Sequence, residues 1–487
     1  MHDPDHLRSV ARDCVLCGFC LPACPTYQLW AEEMDSPRGR IHLVNQILDG
    51  AELTASAAEH FDRCLGCMAC MTACPSGVQY DQLIEAARAW TEDARAAGDA
   101  GPVGSVGSGG AGGSAGSAGL AGAAGSAGSA GSAGLAGAAG SAGSAGLGGT
   151  AGSAAARRRD RAVRAAIFAL FPYPARLRAA LGPLRAAQRT GLDRRLARSS
   201  LPDRLSPALG AAMRLAPPAV TTKRFPERVA ARGTRRAVVG MLTGCVQSVF
   251  FPQVNAATAR VLAAEGCDVL IPRGQGCCGA LSLHSGREAE AQAFAQRAIA
   301  TFEAEDVDAI VVNSAGCGSA MKEYERLLAG TGWAARAAAL SARVRDLSEF
   351  LAELGPAARR HPLPVTAAYH DACHLAHAQR ITRQPRELLR AIPELTLVEL
   401  PDAGTCCGSA GVYNLLQPEA AGELGARKAQ AVLDAGAPLL VSANPGCSLQ
   451  IASSLGDRGA HIAVAHVAEV LDASINRTPL PRPGGRA

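Results

Sequence analysis

Cys14-Val-Leu-Cys17-Gly-Phe-Cys20-Leu-Pro-Ala-Cys24-Pro25 and Cys64-Leu-Gly-Cys67-Met-Ala-Cys70-Met-Thr-Ala-Cys74-Pro75 share one pattern, C-x2-C-x2-C-x3-C-P. Three thiolates at this spacing wrap one face of a cubane iron–sulfur cluster. The fourth, on a Pro-directed turn, reaches the neighbouring cluster. The pattern predicts two 4Fe-4S clusters, one held by Cys14, Cys17, Cys20 and Cys74, the other by Cys64, Cys67, Cys70 and Cys24. Structural zinc is the competing reading, but zinc knuckles pair two cysteines and do not add a third at the same spacing before C-P. Gly18 and Gly66 let the backbone come close enough for N–H groups to bond cluster sulfur.

Around these motifs the signal is helical. Arg38–Leu48 carries apolar residues at Ile41, Val44, Ile47 and Leu48, and Tyr80–Trp90 also reads as a helix. No alternating strand pattern is present, so residues 1–96 are expected to form an all-helical two-cluster ferredoxin domain. Residues 97–156 are almost pure Gly, Ala and Ser, and read as a disordered linker that buries too little surface to offset its ordering entropy.

Residues 157–232 form an Arg-rich helical connector, with Arg157, Arg158, Arg159, Arg161, Arg164, Arg176, Arg178, Arg185, Arg189, Arg194, Arg195 and Arg198 against Asp160 and Asp193 up to residue 198. Val163, Ile167, Leu170 and Phe171 fall at helical spacing, and Leu177, Leu181 and Leu184 continue after Pro174. A basic helix with an apolar stripe can lie on an anionic membrane surface or dock on an acidic partner. Packing on the remainder of the chain is the plainer alternative.

The C-terminal region holds a repeat, over 233–355 and 356–487. In the first half, strands are expected at Ala237–Leu242, Asp268–Ile271 and Ala309–Asn313, with helices at Asn255–Ala264 and Glu288–Glu303. In the second, strands are expected at Val365–Tyr369, Leu395–Leu400 and Leu439–Ser442, with helices near Pro385–Ala391 and at Pro418–Leu433. Such alternation predicts tandem α/β repeats with parallel sheets. Cys245, Cys277, Cys278 and Cys317 in one half match Cys373, Cys406, Cys407 and Cys447 in the other. Each falls at or past the C-terminal end of a strand, the edge where open α/β sheets bind ligands. These eight are candidates for a further iron–sulfur or metal site, or for thiol redox chemistry, with simple packing as the bland reading. Cys267 lies outside the pattern and reads as core. His370, His374 and His377 flank Cys373 at a spacing that could supply ligands, but a helix-start or surface role is the plainer reading.

Composition agrees with this division. A chain of 487 residues suggests two or three domains, and 48% hydrophobic content with 4% aromatics implies a core built from Ala, Leu and Val. A net charge of +5 does not suggest a nucleic-acid binder. Met1–Val10 lacks the apolar core of a signal peptide, and no apolar run is long enough to span a bilayer. The expected location is cytoplasmic, where clustered cysteines are metal ligands or redox groups rather than disulfides.

The tandem motifs, Ser36-Pro37-Arg38-Gly39-Arg40-Ile41 and the two Cys-Cys-Gly repeats together resemble the glycolate oxidase iron–sulfur subunit family. Cys406-Cys407-Gly408-Ser409-Ala410-Gly411-Val412-Tyr413-Asn414-Leu415 and Asn444-Pro445-Gly446-Cys447 carry that resemblance in particular. The wider CCG group includes heterodisulfide reductase subunits, lactate-utilisation proteins and the iron–sulfur subunit of anaerobic glycerol-3-phosphate dehydrogenase. The resemblance implies a complex in which FAD-containing flavoprotein subunits oxidise glycolate to glyoxylate and this chain relays electrons to a quinone or another acceptor. It also implies a peripheral site on the cytoplasmic face of the inner membrane. The chain departs from the wider pattern in one respect. Cys317 is followed by Gly318, Ser319 and Ala320, and Cys447 by Ser448, Leu449 and Gln450, so each half lacks the fifth cysteine of a five-thiolate noncubane cluster.

No GxGxxG stands between a strand and a helix, so neither flavin nor nicotinamide is expected in this chain, and substrate oxidation is assigned to a partner. The alternatives are an iron–sulfur subunit acting with a lactate or glycerol-3-phosphate dehydrogenase, and a heterodisulfide reductase-like catalytic subunit using the eight CCG cysteines. A degenerate CCG sheet that only docks the flavoprotein is a further one.

Overall fold

The computed structural model describes residues 3–97, 154–199, 201–217 and 225–481. The predicted linker at 97–156 therefore lies outside the described residues except at its two ends. Residues 3–97 are helical, with helices at Pro4–Arg12, Pro25–Trp30, Pro37–Leu48, Ala55–Arg63, Ala69–Ala73 and Tyr80–Ala97. Local chemistry sets several of their starts. Asp3, Ser36 and Thr54 accept hydrogen bonds from the backbone N–H groups of Asp5, Gly39 and Ala57, and Pro4, Pro25 and Pro37 open their helices with φ already set. Leu7, Val10, Ile41, Val44, Phe61, Leu83 and Ile84 close a small core between them.

The C-terminal region contains two sheets. The strands are β1 (Arg228–Val229), β2 (Ala237–Met241), β3 (Cys267–Leu270), β4 (Ala309–Val312), β5 (Val344–Asp346), β6 (Val365–Tyr369), β7 (Leu395–Glu399), β8 (Leu439–Ser442) and β9 (Ala463–His466). The first sheet runs β1-β3-β2-β4-β5, parallel except for antiparallel β1 at its edge, and the second runs β7-β6-β8-β9, all parallel. Without β1 the two orders are the same. In each, the strand order reverses beside the first strand of the repeat, which creates a crevice at the strands' C-terminal ends. The short edge strands β1, β5 and β9 were not among the expected strands.

The two sheets share one core. Val239, Met241 and Val269 from the first belong to the same apolar cluster as Ala367, Tyr369 and Val441 from the second. Two cross-repeat hydrogen bonds fix their orientation: Ala315 N–H donates to the Ala443 carbonyl (3.1 Å), and His466 Nε2 lies 2.9 Å from the Asn313 carbonyl. Cys267 is fully buried in this core.

The connector forms helices at Ala154–Leu170, Pro174–Thr190, Leu192–Arg198, Leu201–Leu205 and Pro207–Leu215. Its apolar stripe does not face outward as a surface-lying helix requires. Ile167 and Phe168 pack with Val412 and Leu415, with Val163 and Phe171 beside them, while Leu177 and Leu181 pack with Val249. The membrane-surface reading of this stripe is therefore corrected: its apolar area is already covered by the α/β region. The exposed apolar residues of the connector are instead Leu192, Leu201, Leu205 and Leu209. Among the described residues no helix is long and apolar enough to cross a membrane.

Candidate metal centres

The N-terminal thiols fall into two neighbourhoods. Cys14, Cys17, Cys20 and Cys74 line one small cavity with Arg38, Ile41 and Tyr80, and Cys70 reaches its wall. Cys70 is buried within the electrostatic reach of Cys67, Cys64, Cys24 and Cys20. Cys24 lies within reach of Cys67 and Cys70 of the second motif as well as Cys20 of its own. Its Sγ lies 3.3 Å from Thr26 Oγ1 and 3.6 Å from the Asp35 carbonyl. Gly66 N–H donates to Cys64 Sγ at 3.4 Å, the type of backbone contact that the glycine was expected to allow.

Two arginines that spacing alone did not single out control this second neighbourhood. Arg40 is fully buried, its Nη2 held by Asp35 Oδ1 (3.3 Å) and Thr26 Oγ1 (3.2 Å) and its Nε by the His60 carbonyl (2.6 Å), while Nη1 has no hydrogen-bond partner among the described residues. Arg88 donates to the Cys64 carbonyl and, at 2.9 Å, to the His284 carbonyl. Burial alone would raise the Cys64 thiol. The positive charges of Arg40 and Arg88, with the Gly66 N–H and the Tyr80 hydroxyl, bring it below its ordinary value instead. Cys67 and Cys70, without an arginine beside them, are pushed up by burial and by the neighbouring cysteines. Arg40 had a signal in the Ser36–Ile41 segment, but its burial comes from the packing of Pro37–Leu48 against Ala55–Arg63.

All eight CCG cysteines line one further cavity of about 190 Å³, together with Cys67, Arg88, His284, His374 and Asn444. Within it they form two runs. Cys277 contacts Cys245, at 3.6 Å between sulfurs, and Cys278, which in turn contacts Cys317. Cys406 contacts Cys373 and Cys407, and Cys407 contacts Cys447. The glycine after each Cys-Cys pair makes the corner. Gly279 has φ +85° and Gly408 φ +87°, and an added Cβ would meet the carbonyl oxygens of Ala291 at 3.0 Å and Ala421 at 2.6 Å. Each pair is thereby pressed onto the next long helix, Glu288–Glu303 in one half and Pro418–Asp434 in the other.

The chemistry of this donor set suits a metal. Contact with neighbouring cysteines and burial raise the Cys277, Cys317, Cys373 and Cys407 thiols well above their ordinary value. A thiol held protonated in this way is a poor nucleophile, whereas reactive redox cysteines sit where the thiolate is favoured. A bound cation supplies the missing stabilisation and deprotonates such thiols outright. N–H donors also face the sulfurs: Gly279 N–H to Cys277 Sγ (3.3 Å) and Asn444 Nδ2 to Cys447 Sγ (3.5 Å).

Of the three histidines near Cys373, His370 departs from expectation. It is fully buried, with neither ring nitrogen hydrogen-bonded among the described residues. His374 lies at the cavity, its Nε2 2.9 Å from the Gly66 carbonyl and its ring edge-on to His284 with centroids 4.8 Å apart. His377 contacts Thr72 Oγ1 at 3.0 Å. These contacts join the helical region to the second repeat, and Cys67 comes within the electrostatic reach of Cys373 and Cys406. The helix Tyr80–Ala97 completes the junction: Arg326 pairs with Glu85 (3.0 Å) and Asp81 (3.3 Å), and Arg287 with Glu92 (3.1 Å).

Comparison with known proteins agrees with this layout. Family signatures match as "Cysteine-rich domain" over 239–322 and 367–452, "Glycolate oxidase iron-sulfur subunit, linker region" over 159–216, and "4Fe-4S dicluster domain" over 10–78. The chain is 33% identical over 472 residues to the probable glycolate oxidase iron–sulfur subunit of Bacillus subtilis, covering 94% of this chain and 93% of that protein. It is 31% identical over 481 residues to the glycolate oxidase iron–sulfur subunit of Escherichia coli, covering 96% and 95%. Lactate utilization protein A of an Exiguobacterium species is 32% identical over 241 residues, which is 98% of that protein and 49% of this chain. By identity and coverage alike, the chain belongs to the glycolate oxidase iron–sulfur subunit family.

Proposed function

We propose that this chain is the electron-relay subunit of an assembly that oxidises glycolate to glyoxylate, the two-electron step taking place on a separate FAD-containing flavoprotein subunit. Iron–sulfur clusters, when bound, supply one-electron redox chemistry of the kind needed to split a hydride equivalent into single electrons. We assign Cys14, Cys17, Cys20 and Cys74 to one 4Fe-4S cluster and Cys64, Cys67, Cys70 and Cys24 to the other. The CCG thiols of each repeat are assigned to a further metal centre. The observation that supports the reading is that Cys74 lines the cavity of Cys14, Cys17 and Cys20, while Cys24 is within electrostatic reach of Cys67 and Cys70. In this reading residues 1–96, 157–232, 233–355 and 356–487 act as ferredoxin domain, connector and two CCG repeats, joined by 97–156 as linker.

The surrounding residues have distinct tasks. Arg40 and Arg88 offset negative charge where the second motif is most buried. Val15, Leu16 and Phe19, all exposed beside Cys17, offer the flavoprotein an apolar rim at the first motif. Cys67, which lines the CCG cavity near Cys373, gives a route inward. Delivery to a quinone at the cytoplasmic face of a membrane rests on Leu192, Leu201, Leu205 and Leu209, which remain exposed.

The test is the Cys24→Ser variant, read by EPR in the full chain. The cluster of Cys64, Cys67 and Cys70 should be lost or altered while that of Cys14, Cys17 and Cys20 keeps its signal. Damage confined to the latter would overturn the assignment. Steady glycolate oxidation by the purified chain alone, without flavin, would replace the relay with a catalytic reading.

A further inference from the structure

In the second repeat, His370 stands immediately after β6, where the chain leaves the centre of the sheet for the Cys373 turn. Its side chain is wholly inaccessible, and both Nδ1 and Nε2 lack a hydrogen-bond partner among the described residues. A core histidine ordinarily satisfies at least one ring nitrogen, because an unpaired buried polar group is costly. A ring nitrogen of His370 and the sulfurs of Cys407 and Cys447 all lie within 4.8 Å of one another, close enough to share one metal ion.

The first repeat provides the contrast. The intervals from β2 to Cys245 and from β6 to Cys373 are the same, which places Leu242 where the second repeat has His370. The first crevice therefore offers four thiols and an apolar wall, the second four thiols and an imidazole.

We propose that His370 is a metal ligand, donating an imidazole nitrogen to an iron at Cys407 and Cys447 within the metal centre of the second repeat. The proposal rests on the assignment of a metal centre to the CCG thiols and names the fifth donor of the second one. The fifth donor comes from upstream of the first cysteine rather than downstream of the last, where Ser448, Leu449 and Gln450 offer no thiol. The second site is then a mixed nitrogen–thiolate centre beside an all-thiolate one. A neutral imidazole in place of an anionic thiolate leaves a centre with less negative charge and a higher reduction potential, as histidine-ligated iron–sulfur centres have.

The experiment uses the full chain, reconstituted anaerobically with iron and sulfide and labelled with ¹⁵N only in histidine. Pulsed EPR should detect a ¹⁵N coupling of the strength of direct ligation. It should vanish in both His370→Leu and His370→Cys, and His370→Cys should keep its iron and move one midpoint potential downward. A coupling absent from the unaltered chain, or one that persists in His370→Leu, overturns the proposal while leaving the CCG metal reading intact. Iron no greater than the roughly eight atoms that two cubanes need would instead remove that underlying reading, and the proposal with it. If His370→Leu does not fold, the cysteine variant decides by the same signal.

Discussion

The two CCG repeats carry the same strand order, the same four cysteines and the same glycine corner, yet differ in what surrounds the sulfur. Leu242 in the first answers to His370 in the second. On the helix after the corner, Ala298 answers to the buried Lys428, whose Nζ donates to the Asp402 carbonyl at 2.7 Å and whose charge favours the thiolate of Cys373. At the ends of β5 and β9, Asp346 and His466 each cap the next helix through a capping box, one with a carboxylate and the other with an imidazole. Backbone geometry sets where the thiols stand. Single side chains at equivalent positions set the charge they experience. The second set of thiols has the buried charge of Lys428 and lies near Cys67, which in the proposed relay would suit it to receive electrons first.

The largest expected effect tests whether the repeats hold separate centres at all. Cys278→Ser should remove the metal of the first half and leave the second, and Cys407→Ser should do the reverse, as read by iron content and EPR. Both variants losing the same signal would mean that the eight thiols serve one centre across their shared cavity, and the comparison would dissolve. A smaller effect should come from Lys428→Met. With its buried positive charge gone, the potential of the second centre should fall by on the order of 50 mV, a tenfold change in a one-electron equilibrium being about 59 mV, while the first stays in place. Redox titration followed by EPR measures both, and equal shifts in the two would show that Lys428 acts on the whole cavity.

The smallest effects concern the caps, whose pH dependences have opposite signs. Burial raises Asp346 to about 6, against the hydrogen bond from Ser348 N–H and the charge of Lys322 and with that of Glu349. The folded chain thus keeps a proton that the unfolded chain releases near 3.8, so stability declines as pH rises from about 4 to about 6. Burial lowers His466 to about 4 against an ordinary 6.5, so there the unfolded chain binds the proton first and stability declines as pH falls from about 6.5 to about 4. Asp346→Asn should raise the melting temperature by about a degree or two more at pH 8 than at pH 4. His466→Gln should compare better with the unaltered chain at pH 4 than at pH 8. Thermal melts across that range check both, and parallel curves would show that the two caps are equivalent.

The fold was legible wherever a periodic apolar run lay next to a turn. Glu288–Glu303, Val365–Tyr369 and Leu439–Ser442 match the expected elements residue for residue; three other expected strands run one residue too far, and the one expected at Asp268–Ile271 is shifted by one residue. The edge strands β5 and β9 were not legible. They are three and four residues long and end in Asp346 and His466, so nothing alternates for long enough to be read. The gathering of the eight CCG thiols around one cavity is a long-range result. It depends on the two sheets sharing a core, which no local spacing encodes. His370 was misread for the same reason. Beside Cys373 it resembles a helix-start residue, and only the central position of β6, paired on both sides, buries the histidine at its end. The buried Arg40 stood within a segment that attracted attention as a family marker, but its role depends on Asp35 and Thr26 closing around it.

The ion pairs along Tyr80–Ala97 have a bearing on how current flows. Tunnelling between carriers falls off steeply with separation, so a carrier on a swinging arm delivers charge only in bursts set by diffusion. Here Arg326 grips Asp81 and Glu85, Arg287 grips Glu92, and His374 meets the Gly66 carbonyl. Cys67 is thereby clamped beside Cys373 without relying on the chain between residues 97 and 154 to hold it. In the proposed relay these pairs would hold the gap between Cys67 and Cys373, and throughput would follow driving force rather than encounter.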